Sequence, residues 1–203
     1  MVKIRDSGQL PDGRCYLAME LVEGRSLASL IAQGPVSPAR AAQIGKDVAE
    51  ALAALHGAGV IHRDVKPDNV MLRENGAAVL TDLGLARSEL FRTMTRHDVA
   101  VGTLAYMSPE QCVGRPLVGA TDLWSLGVTL YEMVTGRRPF LAEHELELVY
   151  VIHNVDPEPP SKLAPGLPPA LETAILRCLE RAPERRFADA KALADALRLL
   201  TDG

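Results

Sequence analysis

The sequence predicts an α+β, mostly helical fold: a large helical body preceded by a short hairpin. Three observations carry this. Apolar residues recur at threes and fours through several stretches of the chain, which is the helical period. Strand-like runs are few and short: residues 2–22, Val60-Ile61 and two apolar stretches near residues 70–80. The chain has 203 residues, 47% of them hydrophobic and 24% charged, enough for one globular domain to bury its own core.

Taken in order, Val2-Lys3-Ile4-Arg5 alternates, Pro11-Asp12-Gly13 supplies a turn, and Tyr16 to Val22 returns as a second strand. Gly8 and Gly13 have the spacing of a phosphate-binding loop. Arg14-Cys15 stands where that loop needs a lysine and a hydroxyl residue, and no helix follows, so a plain turn is expected. Ser26 to Gln33 reads as a short helix stopped by Gly34-Pro35. A longer helix opens at Ser37, an N-cap residue type, with Pro38 in its first turn. Ala41, Ile44, Val48, Leu52 and Leu55 form its buried face, and Gly57 and Gly59 end it. His56 near that end is expected to be structural or solvent-facing, favoured by the helix dipole. Val60-Ile61 is expected to be a short strand.

Next comes the polar stretch His62-Arg63-Asp64-Val65-Lys66-Pro67-Asp68-Asn69, between Val60-Ile61 and the apolar run Val70-Met71-Leu72. It reads as a loop between two buried anchors. Asp82 ends a second strand-like run, Ala77 to Leu80, which as a hairpin partner would return it beside Asn69. Asn69 and Asp82 are then an oxygen-donor pair suited to Mg²⁺, and Lys66 brings a mobile positive charge where a phosphate could sit.

Residues 85–101 are polar and read as a surface loop. Thr121 to Val134 is a helix apolar on most faces, implying burial at the centre of the body. Gly136 to Phe140 breaks it, and a helix around Glu143 to Val151 follows. The prolines from Pro157 to Pro169 form an inter-helix loop. Two apolar stripes, Leu171-Ala174-Ile175-Cys178-Leu179 and Ala190-Leu193-Ala194-Leu197-Leu200, close the core.

The pattern H-R-D-x-K-x-x-N, followed by Asp82-Leu83-Gly84, resembles the catalytic core of eukaryotic-type serine/threonine protein kinases of the bacterial kind. The resemblance covers nearly the whole chain. It implies a kinase-like large C-terminal lobe over residues 25–203 and, over residues 1–24, a remnant hairpin and hinge of the small lobe. By this likeness Asp64 accepts the proton of a Ser or Thr hydroxyl, Lys66 neutralises the transferring group, and Asn69 and Asp82 hold Mg²⁺ on ATP. Met19, Glu20 and Val22 correspond to the gatekeeper and hinge, and Met71 to the floor under adenine. Thr103, in the segment ending Ser108-Pro109-Glu110, pairs with Lys66 in the serine/threonine-specific pattern; Ser108 departs mildly from the family's alanine. Thr93 and Thr95 fall in the activation segment as candidate phosphosites, with Arg63 as the cation that a phosphate would meet. Glu110 with Arg186, and Asp122 against the loop backbone, have supporting roles.

Composition narrows the partners. A net charge of −4 with no basic block gives no footprint for nucleic acid, and no stretch has the apolar length of a membrane span. Three scattered cysteines, Cys15, Cys112 and Cys178, suggest neither disulfides nor zinc and point to the cytoplasm. The implied substrates are proteins bearing Ser or Thr. By the same likeness the hairpin matches the fourth and fifth strands of the small lobe, and the family's glycine-rich loop, strand lysine and helix glutamate lie before them, so the first strand edge is expected to need a further segment or partner to cover it. Catalysis by these 203 residues alone is therefore doubtful on sequence grounds, and a non-catalytic binding or scaffold module stands as the alternative.

Overall fold

The computed structural model describes residues 1–83 and 101–201. Thr93 and Thr95 lie outside the described residues. β1 (Ile4–Gln9) and β2 (Cys15–Met19) form an antiparallel hairpin, irregular between Ile4 and Asp6. Its turn closes through Leu10 N–H to the Arg14 carbonyl at 2.8 Å and Gly13 N–H to the Leu10 carbonyl at 2.9 Å. Gly13 takes φ +88, a left-handed turn conformation. The glycine pair with phosphate-loop spacing is thus a strand residue and a turn residue.

The return strand stops at Met19 and does not continue to Val22. Glu20 N–H still reaches the Lys3 carbonyl at 2.9 Å, but the chain then turns away at Gly24, where φ is +147. A Cβ on Gly24 would lie 2.0 Å from the Leu72 carbonyl oxygen. Only glycine lets the backbone approach this closely, and the approach sets β3 (Arg25–Ser26) against β4 (Val70–Leu72). β4 also pairs with β5 (Ala78–Leu80), giving a second sheet of order β3-β4-β5. Two residues are too few to show alternation, so β3 left no mark in the sequence.

The expected strand at Val60-Ile61 is absent among the described residues. Val60 N–H turns back to the Leu55 carbonyl at 3.0 Å, and the next amides, at residues 62 and 63, go to a side chain instead of a ladder.

Helices make up the remainder. α1 (Leu27–Ile31) is capped by Ser26, whose Oγ accepts from Ser29 N–H at 3.2 Å. α2 (Pro38–Gly57) starts at Pro38 as expected, but Ser37 makes no side-chain capping bond. α3 (Val101–Leu104) is a single turn, below what periodicity can detect. α4 (Pro109–Cys112) carries a capping box between Ser108 and Gln111. α5 (Ala120–Thr135), α6 (Glu145–Asn154), α7 (Pro169–Cys178) and α8 (Ala190–Arg198) complete the body. α6 begins and ends later than its apolar pattern suggested.

α5 is the centre, with every residue from Thr121 to Tyr131 buried. α2 packs on α5 and α8, and α7 packs on α5. Gly127 permits the α7 contact, since a Cβ there would sit 2.5 Å from the Cys178 Cβ. Trp124 stacks on Phe140 with centroids 5.5 Å apart. Among the described residues no helix is long and apolar enough to cross a membrane. The result is a mostly helical body with two small sheets, all of whose strands fall in residues 4–80.

Candidate active site

The loop 62–69 owes its shape to Asp122, in the first turn of α5 and fully buried. Asp122 Oδ2 accepts from His62 N–H at 2.8 Å, and Oδ1 accepts from Arg63 N–H at 2.8 Å. His56 Nε2, at the end of α2, donates to the same Oδ2 at 2.8 Å. His56 is therefore structural, as its sequence position suggested, but its partner is a carboxylate 66 residues away and not the helix dipole alone. Arg63 is held with φ +69, a conformation costly for a residue with a Cβ. The Asp122 bond on its N–H and a Gln111 Nε2 bond to its carbonyl at 3.1 Å over-determine that geometry.

His62 is buried, and its Nε2 donates to the Thr81 carbonyl at 2.9 Å. Nδ1 is then the acceptor and meets Asp64 N–H at 3.4 Å. Burial pushes the His62 pKa down, outweighing the nearby Asp122 charge, so the ring stays neutral and keeps that acceptor.

Asp64, Lys66, Asn69 and Thr103 converge. Asn69 Nδ2 donates to both the Asp64 carbonyl (2.8 Å) and Asp64 Oδ2 (2.9 Å), fixing the carboxylate to the backbone that carries it. Lys66 Nζ lies 3.2 Å from Asp64 Oδ2 and 3.5 Å from Thr103 Oγ1. Buried Val65 and Pro67 alternate with these polar residues and anchor the loop.

With both Asn69 donor bonds spent on Asp64, its Oδ1 accepts no hydrogen bond among the described residues. The β4–β5 hairpin returns the chain to this point: Thr81 N–H and Oγ1 both donate to the Asn69 carbonyl, at 2.9 and 3.1 Å. Asp82 follows directly, exposed and at φ +52, with Thr81 Oγ1 3.3 Å from its carboxylate. No group of three or more His, Cys, Asp or Glu forms a metal cage among the described residues. One amide oxygen and one carboxylate suit a hard cation that takes its other oxygens from phosphate and water, as Mg²⁺ does.

On the hairpin side, Val2, Val22, Val79 and Met71 form a small apolar cluster apart from the main core. Met19 is 39% exposed. The Glu20 carboxylate is engaged by Arg73 Nη2 at 2.8 Å and by Lys3 N–H at 3.3 Å.

Beneath the loop, Arg186 Nη1 and Nη2 clasp Glu110 at 2.8 and 2.9 Å, both side chains being buried. The guanidinium also donates to the carbonyls of Glu180, Ala120 and Arg181, and lies 5.2 Å over Trp124. Burial by itself would raise the Glu110 pKa; the Arg186 hydrogen bonds and charge together hold it below the usual value.

Two residues with a part here, and the partner of a third, escaped sequence reading. Gln111 was legible in principle from the Ser-x-x-Gln spacing of a capping box. Tyr106, whose hydroxyl donates to Glu132 at 2.5 Å, and the contact of His56 with Asp122 act across long sequence separations and gave no local signal.

The sequence matches the protein kinase domain over residues 1–197. It is 35% identical to serine/threonine-protein kinase PknB of Mycolicibacterium smegmatis, over 98% of this chain and 33% of that protein. It is 39% identical to serine/threonine-protein kinase PknD of Mycobacterium tuberculosis, over 97% of this chain and 30% of that protein. With serine/threonine-protein kinase PkaA of Streptomyces coelicolor the identity is 39%, over 100% of this chain and 37% of that protein. The chain thus spans about a third of the length of these curated relatives. A helical body with an attached hairpin, a clamped H-R-D loop and a match across almost every residue together establish that this chain belongs to the protein kinase domain family.

Proposed function

We propose that the chain is a serine/threonine protein kinase domain that transfers the γ-phosphate of ATP to Ser or Thr hydroxyls of proteins. The observation that carries the reading is the Asn69 bridge to Asp64, with Lys66 Nζ set between Asp64 and Thr103. Asp64 accepts the hydroxyl proton, from a carboxylate held still by the Asn69 bonds. Lys66 supplies positive charge where negative charge gathers, and Thr103 orients Lys66. Asn69 Oδ1 and Asp82 hold Mg²⁺, which when bound neutralises the phosphates and aligns them. Met19, Glu20 and Val22 line the nucleotide base, with Met71 beneath it. Positioning and electrostatics account for most of the catalysis in such a site.

In this reading residues 1–24 belong to the small lobe and residues 25–203 to the large one. Arg63, whose Nε is buried without a hydrogen-bond partner among the described residues, receives a phosphate carried by Thr93 or Thr95. Glu110, Arg186 and Asp122 hold the loop's surroundings. Three free cysteines suit a reducing cytoplasm. No observation on the site favours the non-catalytic alternative.

The test is Mg-ATP-dependent labelling of a generic Ser/Thr-rich protein by the chain and by Asp64→Ala. Loss of the proton acceptor is expected to reduce the rate by about 10²–10⁴-fold. Equal labelling above the no-enzyme background by the two proteins would remove Asp64 from the chemistry and sink the reading.

A further inference from the structure

A second concave feature lies where β3, the α1–α2 connection and the β4–β5 turn meet, an open cleft of about 790 Å³. None of the site residues above lines it. Its apolar lining comes from Leu30, Val36 and Leu72, and its rim carries three guanidinium groups, Arg25, Arg40 and Arg73, against the single acid Glu74. The chain as a whole is acidic, at −4, so this patch opposes the overall sign.

Two of the three arginines are not consumed by internal pairing. Arg73 is matched by Glu20, but among the described residues Arg25 donates only to the neutral amide of Gln33, at 3.2 Å. Arg40 makes no ion pair among the described residues, and its guanidinium lies over Gly76, 3.4 Å from where a Cβ would be. Arg40 also sits in the first turn of α2, which contains no acid. A cation there opposes the helix dipole, so helix stability does not explain it.

We propose that this cleft docks an acidic peptide segment of a partner protein, with carboxylates on Arg25 and Arg40 and an aliphatic side chain against Leu30, Val36 and Leu72. Planar guanidinium forks match carboxylates in pairs. The aliphatic lining, with no aromatic ring for a base to stack on, favours such a peptide over nucleic acid. Rim charges of this kind act through encounter rate and are screened by salt.

The probe is a fluorescein-labelled peptide of alternating glutamate and leucine, followed by anisotropy with the whole chain and no nucleotide, so the result is independent of phosphotransfer. Saturable binding that weakens with salt is expected. Arg25→Glu with Arg40→Glu should weaken it about tenfold or more, with an unchanged circular dichroism spectrum because neither side chain is buried. A glutamate–serine peptide should bind more weakly, and a lysine–leucine peptide should not bind. Absence of saturation at millimolar peptide, equal binding by the double variant, or equal binding of the lysine–leucine peptide would overturn the proposal. So would a single-stranded oligonucleotide binding more tightly with the same arginine dependence.

Discussion

At the scale of single residues, Asp122 has more consequences than any residue that faces the reacting space. It satisfies two backbone amides and an imidazole without itself meeting solvent. Asp122→Ala leaves those donors unpaired, the His62 amide buried and the other two partly so. At roughly 1–3 kcal/mol per unsatisfied group, the expected loss is about 4 kcal/mol, read as a lowered urea midpoint. Its importance was partly legible: a carboxylate opening an apolar helix could be placed against the loop by family likeness, while His56 could not. Fold topology alone brings residues 56 and 122 together, and a local pattern has no term for that.

At the scale of elements, α5 and α7 meet through a missing side chain. Gly127→Ala places a methyl group 2.5 Å from the Cys178 Cβ, an atom close to the backbone that cannot swing aside. Overpacking a tight core contact costs about 1–3 kcal/mol, so this variant should melt several degrees lower than the parent in calorimetry. The long helices were readable because their apolar faces repeat over several turns. β3 and α3, of two and four residues, were not, because neither repeats once. The same reasoning covers the overextended second strand: Glu20 to Val22 have strand-like composition, and the Gly24 approach to Leu72 overrides it.

For the molecule as a whole, the ionisable groups predict how stability changes with acid. Burial lowers the folded-state pKa of His62 below its ordinary 6.5. The unfolded chain then binds the proton more readily, so stability is fully present above about 6.5 and declines as pH falls through that value. Glu110, also lowered, contributes in the same direction below its ordinary 4.5. Glu132 works the other way: burial raises it, so it favours the folded state at low pH and loses that contribution as pH rises. Urea unfolding from pH 7.5 to pH 5.5 should show a decline, and His62→Gln should flatten it; the same decline in the variant would assign the slope elsewhere. The site's polar residues were readable as a set because Arg63, Asp64, Lys66, Asn69 and Asp82 lie within two short segments. Their spacing in three dimensions was not, since it depends on a carboxylate that arrives 60 residues later in the chain. That delay bears on synthesis. While a ribosome is still making residues 70 to 121, the amides at 62 and 63 have no native acceptor, so the nascent chain cannot hold its chemistry in working order before the middle of the large body exists.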